Sequence, residues 1–277
     1  MSRSVVSQAD KAQMFRALHA RDRAFIIPNP WDPGTARLLA TLGFEALATT
    51  SAGYAFSQGL VDGAVDGPAM LAHVAAIVAA TDLPVSADLE NGFGDDPASV
   101  AATIRAAAAT GLAGGSIEDV SRGPDGRIYE IAHAADRVRA AVEAARSVPA
   151  PFTLTARAEN FLHGRPDLAD TIARLQTFQD AGADVLYSPG LRTADEIATV
   201  VRSVDRPINV VMGLQGAQLD LATLSALGVK RVSVGSALTR AALGAFLRAA
   251  REMRDHGTFT FAADAVSYRE ISAMLGS

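Results

Sequence analysis

"VSADLENGFGDDP", residues 85–97, changes period halfway along its length. Val85, Ala87 and Leu89 alternate as in a half-buried strand, and Ser86, Asp88 and Glu90 share the opposite face. Gly92 and Gly94 then break the strand. Asp96–Pro97 has the grammar of a helix start, an N-cap carboxylate followed by proline in the first turn. A strand that feeds a helix through a short glycine turn is one β/α unit. Within it, two carboxylates two residues apart on one strand face are the anomaly.

The unit recurs. Strand-like segments lie at 24–29 ("AFIIPN"), 45–51, 84–90, 114–120 ("GGSIEDV"), 152–160 ("FTLTARAEN"), 183–189, 207–213 and 231–236 ("RVSVGS"), each followed by residues at helical period. Leu168, Ile172, Leu175 and Phe178 form one helical stripe; Ile197, Val200 and Val201 begin another. Asp32–Pro33 repeats the helix start, while Gly111, "AGAD" (181–184) and "ALGV" (226–229) close helices. Eight strand–helix units in about 240 residues predict an α/β fold, a closed (β/α)8 TIM-type barrel rather than an open doubly wound sheet. An extra N-terminal helix is expected over about 8–20, and the tail 257–277 forms a C-terminal extension. No linker rich in Gly, Ser or Pro divides the chain, so 1–277 reads as one domain.

The bulk numbers suit that reading. The 277 residues are 49% hydrophobic and 20% charged, enough for one well-buried core. A net charge of −5 argues against nucleic acid or an anionic membrane as partner. The lack of cysteine excludes disulfides, zinc thiolates, Fe–S clusters and a cysteine nucleophile. No apolar run approaches the ~20 residues that cross a bilayer, and the first residues lack a secretory core, so a cytoplasmic protein is expected. The five histidines show no ligand spacing. Lys11 and Lys230 are the only lysines, and both read as surface charges, Lys230 at the wrong end of the eighth strand. Schiff-base chemistry is thereby disfavoured, and carbanion chemistry would need a metal as electron sink.

In a parallel barrel the C-terminal strand ends form the active face. The third strand brings Asp88 and Glu90 there, the fourth Glu118 and Asp119, the fifth Arg157, Glu159 and Asn160. So many carboxylates repel, and one would hold a proton unless a divalent cation sat among them. Few, hard oxygen ligands completed by water are the pattern of Mg²⁺, with Mn²⁺ as the alternative. The ion would hold a substrate oxyanion, and Arg157 a carboxylate in a bidentate fork. The structural alternative is a plain buried Arg157–Glu159 ion pair. A D-x-E pattern alone is short; the set on successive strand ends is what favours a site.

Four segments, in order, resemble the isocitrate lyase / phosphoenolpyruvate mutase superfamily: "PNPWDPGTARLLATLGFEALATTSAG", "ADLENGFGD", "GGSIED" and "ARAENF". The resemblance implies that Asp88 binds Mg²⁺ directly and that Glu90 and Glu118 reach it through water. It implies that Ser51, Ala52 and Gly53 bind a substrate carboxylate and that Arg157 holds a carboxylate or oxyanion. Asp62 of "QGLVDG" matches a further aspartate of the loop after the second strand. The last barrel helix would be swapped between subunits of a homodimer or homotetramer.

The departures are specific. The isocitrate and methylisocitrate lyases carry K-K-C-G-H after the fourth strand. Here that loop is "DVSRGPDGRIYE" (119–130), without Cys, Lys or His, and Arg122 and Arg127 read as solvated charges. The lysine and asparagine of phosphoenolpyruvate mutase are missing too, and Pro189 stands near where the lyases have glutamate. What the resemblance still implies is a Mg²⁺-dependent enzyme that cleaves a C–C bond of a small 2-oxo or 2-hydroxy dicarboxylate through a metal-stabilised enolate. Oxaloacetate and substituted malates are examples. The alternatives are phosphonopyruvate-type P–C chemistry and a silent 2-oxo acid-binding protein. Tyr54, His163 and Asn209 are expected at the rim, Asn209 as a substrate contact.

Overall fold

Alternation places Ser86, Asp88, Ser116, Glu118, Thr155 and Arg157 on the same side of their strands, and the sheet curls so that this side becomes the inside. In the computed structural model, which describes residues 6–123, 126–214 and 218–276, all eight expected strands form. Pro124 and Asp125 of the 119–130 loop, residues 1–5 and Ser277 of the tail lie outside the described residues.

The chain runs α1 (Gln8–His19), β1 (Phe25–Ile27), α2 (Pro33–Thr41), β2 (Leu47–Ala48), α3 (Ser51–Ser57) and α4 (Gly67–Ala79). It continues through β3 (Val85–Asp88), α5 (Pro97–Ala109), β4 (Gly114–Glu118), α6 (Ile131–Ser147), β5 (Thr153–Arg157) and α7 (Leu168–Asp180). The last part is β6 (Val185–Tyr187), α8 (Ala194–Arg202), β7 (Ile208–Val211), α9 (Leu221–Ala226), β8 (Arg231–Ser233) and α10 (Ala237–His256). A 3₁₀ turn (Thr260–Asp264) and α11 (Tyr268–Leu275) follow.

The order around the sheet is β1-β8-β7-β6-β5-β4-β3-β2, all parallel, with Phe25 opposite Arg231, Asn209 opposite Arg231, and Glu118 opposite Arg157. Between β1 and β2 the seam is closed by the Ala48 N–H donating to the Pro28 carbonyl at 3.0 Å, beside Asn29 Nδ2 donating to the Thr49 carbonyl at 2.9 Å. Two helices begin where Asp32 and Asp96 signal them, and Asp66, Asp167 and Thr193 likewise cap the backbone of the first turns of α4, α7 and α8. Strands end earlier than the apolar alternation, because the chain leaves the ladder to build the mouth. β3 stops at Asp88, and Glu90 turns into the left-handed region at φ 48°.

The main core lies between barrel and helices, with Ile77, Ile104, Leu112, Phe152 and Phe178 fully buried. A second, smaller core plugs the N-terminal end, where Ala12, Phe15 and Leu18 of α1 meet Phe25, Ile27, Ala46 and Ala113. The expected leading helix is therefore the floor of the barrel, which leaves the C-terminal end as its mouth.

The tail divides. α11 lies against α2, with Arg37 Nη2 donating to the Leu275 carbonyl at 2.6 Å. α10 buries only Thr239 among its 20 residues and leaves Leu243, Phe246, Leu247 and Met253 exposed. Among the described residues no helix is long and apolar enough to cross a membrane.

Candidate active site

The strand ends of β3, β4 and β5 converge on one guanidinium. Arg157 Nη1 lies 2.9 Å from Glu118 Oε1 and 3.2 Å from Asp88 Oδ1, and its Nε donates to Glu159 Oε1 at 2.7 Å. Its carbon stands 4.9 Å over the Tyr187 ring, a cation–π contact that fixes the plane. Asp88 is held from the turn between β2 and α3: the Ser51 hydroxyl donates to its Oδ2 at 2.7 Å, the Ser51 N–H to the same atom at 3.2 Å, and Thr49 Oγ1 accepts from its N–H at 2.9 Å. Glu90 turns away from Arg157, and its Oε2 lies 2.8 Å from Arg122 Nε.

These groups line a cavity of about 370 Å³ at the barrel mouth, within the range of small-molecule sites. Five carboxyl groups (Asp62, Asp88, Glu90, Glu118 and Glu159) share it with three guanidiniums (Arg122, Arg157 and Arg231). Burial pushes Glu118 well above the usual carboxylate range, against the pull of Arg157, and Glu159, Asp88 and Glu90 add repulsion. Burial likewise raises Glu90 to about 7, opposed by Arg122 and assisted by Asp88 and Asp62. Asp62 is an exposed residue at the mouth, yet the walls around its carboxyl strip enough water from it to raise its pKa, and Asp88 adds to the effect. Arg157 moves the other way: burial disfavours its charge, but Glu118, Glu159 and Asp88 outweigh that and hold it firmly protonated.

The residues fit a divalent cation of the Mg²⁺ kind. Glu90 Oε1 is buried and has no hydrogen-bond partner among the described residues, and the carboxylates exceed what the arginines neutralise. No three acidic or histidine side chains among the described residues converge as a closed metal cage. One carboxylate with water completing the shell is what Mg²⁺ accepts.

The sequence reading brings Ser51, Ala52, Asp62, Asp88, Glu90, Glu118, Arg157 and Asn209 to the cavity wall. Gly53 stands behind the wall, its N–H donated to Thr50 Oγ1 at 3.1 Å, and a Cβ there would meet Thr239 Oγ1 at 2.5 Å. Asp119 points outward, where its Oδ1 accepts the Glu159 N–H at 2.8 Å and its Oδ2 the Arg174 Nη1–H at 3.0 Å. Burial raises its pKa. Tyr54 stacks on His73 with ring centres 3.7 Å apart and does not line the cavity, whereas His163 does. Asn209 lies deep, accepting from Arg231 Nε at 2.8 Å and donating to Ser233 Oγ at 3.0 Å.

Arg122 is the largest departure. Instead of standing in solvent it reaches across the mouth, stacks on Phe93 at 5.1 Å and donates through Nη2 to the Gly63 carbonyl at 2.6 Å and to the Val65 carbonyl. The loop after β4 is thereby tied to the loop after α3. Arg231, Tyr187 and Ser233 are wall residues that sequence reasoning missed. The alternation of "RVSVGS" puts Arg231 and Ser233 on one strand face, which was the available signal.

Comparison with known proteins points the same way. The family profile described as phosphoenolpyruvate phosphomutase matches residues 15–254. A solved Burkholderia cenocepacia J2315 protein, provisionally described as a lyase/mutase, is 65% identical at a TM-score of 0.95, covering 98% of this chain and 97% of that one. The oxaloacetate decarboxylase of Chromohalobacter salexigens is 30% identical over 90% of this chain and 87% of its own. An oxaloacetate acetylhydrolase solved with the inhibitor 3,3-difluorooxalacetate is 25% identical at a TM-score of 0.86, covering 98% of this chain and 94% of that one.

Proposed function

The chain belongs to the phosphoenolpyruvate phosphomutase family, and from that premise we propose that it is a Mg²⁺-dependent lyase cleaving a C–C bond of a small 2-oxo or 2-hydroxy dicarboxylate. Oxaloacetate and substituted malates are the substrates to try first. The observation that carries this reading is the Arg157-centred carboxylate cluster at the ends of β3, β4 and β5, facing a cavity of small-molecule size. The printed activities of two similar proteins, oxaloacetate decarboxylation and oxaloacetate acetylhydrolysis, both break a bond of a C4 2-oxo diacid.

Asp88 would hold the ion directly, and Glu90 and Glu118 through water. Bound there, Mg²⁺ or Mn²⁺ supplies positive charge beside the oxygen on which negative charge develops. The chain's own groups do the rest. The Ser51 hydroxyl and the Ser51 and Ala52 N–H groups receive one substrate carboxylate, Ser51 exchanging its bond to Asp88 for it. Arg157 holds the carboxylates together and presents charge to the 2-oxo oxygen. In decarboxylation the C3–C4 pair becomes the C2–C3 double bond as the C2=O π pair moves onto that oxygen, CO₂ leaves, and C3 of the enolate takes a proton to give pyruvate. Asp62, its pKa raised at the mouth, is the residue assigned to deliver that proton. Decarboxylation asks least of the 119–130 loop, since no alcohol has to be deprotonated.

The purified chain with Mg²⁺ should release pyruvate from oxaloacetate above the background of metal alone. Activity indifferent to EDTA and to Asp88→Ala would sink the reading. Phosphorus–carbon chemistry is the second reading, favoured by the family profile itself; phosphonopyruvate followed by ³¹P NMR tests it.

The exposed apolar face of α10 supports a second copy of the chain as its partner, with α10 covering the neighbouring barrel in a homodimer or homotetramer. Phe246→Asp should then yield a smaller species in light scattering; an unchanged mass would overturn it.

A further inference from the structure

Opposite the carboxylates, Arg231 enters the barrel from the first residue of β8 and is 5% exposed. Its guanidinium crosses to β5, where Nη2 donates to Thr155 Oγ1 at 2.9 Å, while Nε donates to Asn209 Oδ1 at 2.8 Å. Nη1 faces His19 Nε2 from the floor helix at 3.4 Å. The His19 Nδ1 lies 2.8 Å from the Phe15 carbonyl, which can only accept, so Nδ1 carries the proton and Nε2 the lone pair. Burial and the nearby Arg231 hold the His19 pKa down to about 3, so the ring is neutral.

All three partners of this cation are therefore neutral. Among the described residues no carboxylate forms an ion pair with Arg231. Burial lowers its pKa to about 10; the Tyr187 hydroxyl opposes that shift and the like charge of Arg157 adds to it. An arginine has five N–H donors; three are engaged, and the other two have no partner among the described residues. Removing an unpaired charge from water is costly, so a fixed guanidinium in this position is the unusual feature of the floor. Arg231, Asn209 and Ser233 also line the same cavity as the carboxylate cluster. A purely architectural floor accounts for the three bonds but not for a cation facing a cavity without a counter-charge.

We propose that Arg231 is a specificity determinant that receives the second carboxylate of the substrate, with Asn209 and Ser233 beside it. The inference rests on the function proposed above and supplies what that reading leaves open, the far end of the ligand. The 2-oxo end lies against β3–β5 and the distal carboxylate against β7–β8. A dianion is selected because each wall offers a charge the other lacks. A two-carbon ligand such as oxalate occupies only the β3–β5 side.

Calorimetric titration of the whole chain with oxalate and with malate, each in Mg²⁺, tests this. Arg231→Met should weaken malate by about tenfold or more, the worth of a charge-assisted hydrogen bond, and leave oxalate within about twofold. In turnover the same variant should raise KM for the dicarboxylate with kcat nearly kept. Equal losses for both ligands would make Arg231 structural, and unchanged malate binding would remove it from the site; either overturns the inference while the lyase reading stands. If neither ligand binds the unaltered chain, the lyase reading itself fails and takes the inference with it. Should the methionine variant not fold, Arg231→Lys replaces it. Keeping the charge, it should bind malate more tightly than Arg231→Gln, and equal affinities for the two would overturn the proposal.

Discussion

Along β3, β4 and β5 the cavity wall carries Asp88, Glu118 and Glu159 around Arg157, with Glu90 turned to Arg122; along β7 and β8 it carries Asn209, Ser233 and Arg231. The first wall has more negative charge than its arginine neutralises. The second has a guanidinium held by neutral atoms alone. Burial acts on both, raising Glu118 and Glu90 and lowering Arg231. Neither wall is at its electrostatic optimum by itself. The difference teaches that each lacks a different ligand charge, a cation on one side and an anion on the other.

The sharpest way to break this contrast is to remove the anchor of the acidic wall. Asp88→Ala should lower kcat by more than about 100-fold and abolish stabilisation by Mg²⁺ in a thermal melt. Next comes the cation that holds the carboxylates together. Arg157→Met should cost about 3–5 kcal/mol in urea titrations, because removing one partner leaves buried carboxylates uncompensated, and added Mg²⁺ should return part of it.

The third test uses pH. Glu90 has a folded pKa of about 7, above its ordinary value, so its contribution is fully present in acid. As pH rises through the ordinary range and on to about 7, the unfolded chain loses its proton first and stability falls. In metal-free protein that decline should flatten in Glu90→Gln, and in the unaltered chain Mg²⁺ should suppress it. A decline of equal size in the variant would mean that another group titrates. The smallest expected effect is at the strap across the mouth. Arg122→Ala should change stability by less than about 1 kcal/mol, as partly exposed pairs do. Losing that positive neighbour should move the metal-free titration of Glu90 further upward, which a carboxyl-resolved NMR titration reads.

Much of this was legible in the order of residues. Period-two alternation located all eight strands, and aspartate–proline pairs at 32–33 and 96–97 marked two of the helix starts, since strand faces and caps are local physics. They also brought Asp88, Glu90, Glu118 and Arg157 to one mouth. The destination of a long side chain was not legible. Arg122 is a loop arginine by sequence, and only the placement of the Gly63 and Val65 carbonyls across the mouth turns it inward. Asp119 follows Glu118 directly, so alternation sends it outward to Arg174, although composition alone groups the two acids. Arg231 sits next to Lys230 at a strand start and resembles a surface pair. Its burial depends on α1 closing the floor beneath it, a contact between residues 212 positions apart.

The seam between β1 and β2 has a consequence of a different kind. The amide of Ala48 joins the two staves, and the next residues along the chain are Thr49, which receives the Asp88 N–H, and Ser51, which grips the Asp88 carboxylate. A barrel held at this seam by the Ala48 and Asn29 bonds should open there first. Deuterium uptake at Ala48 is then a clock for excursions of the whole Asp88 corner, and a ligand that draws Ser51 and Asp88 together should slow it without touching either stave.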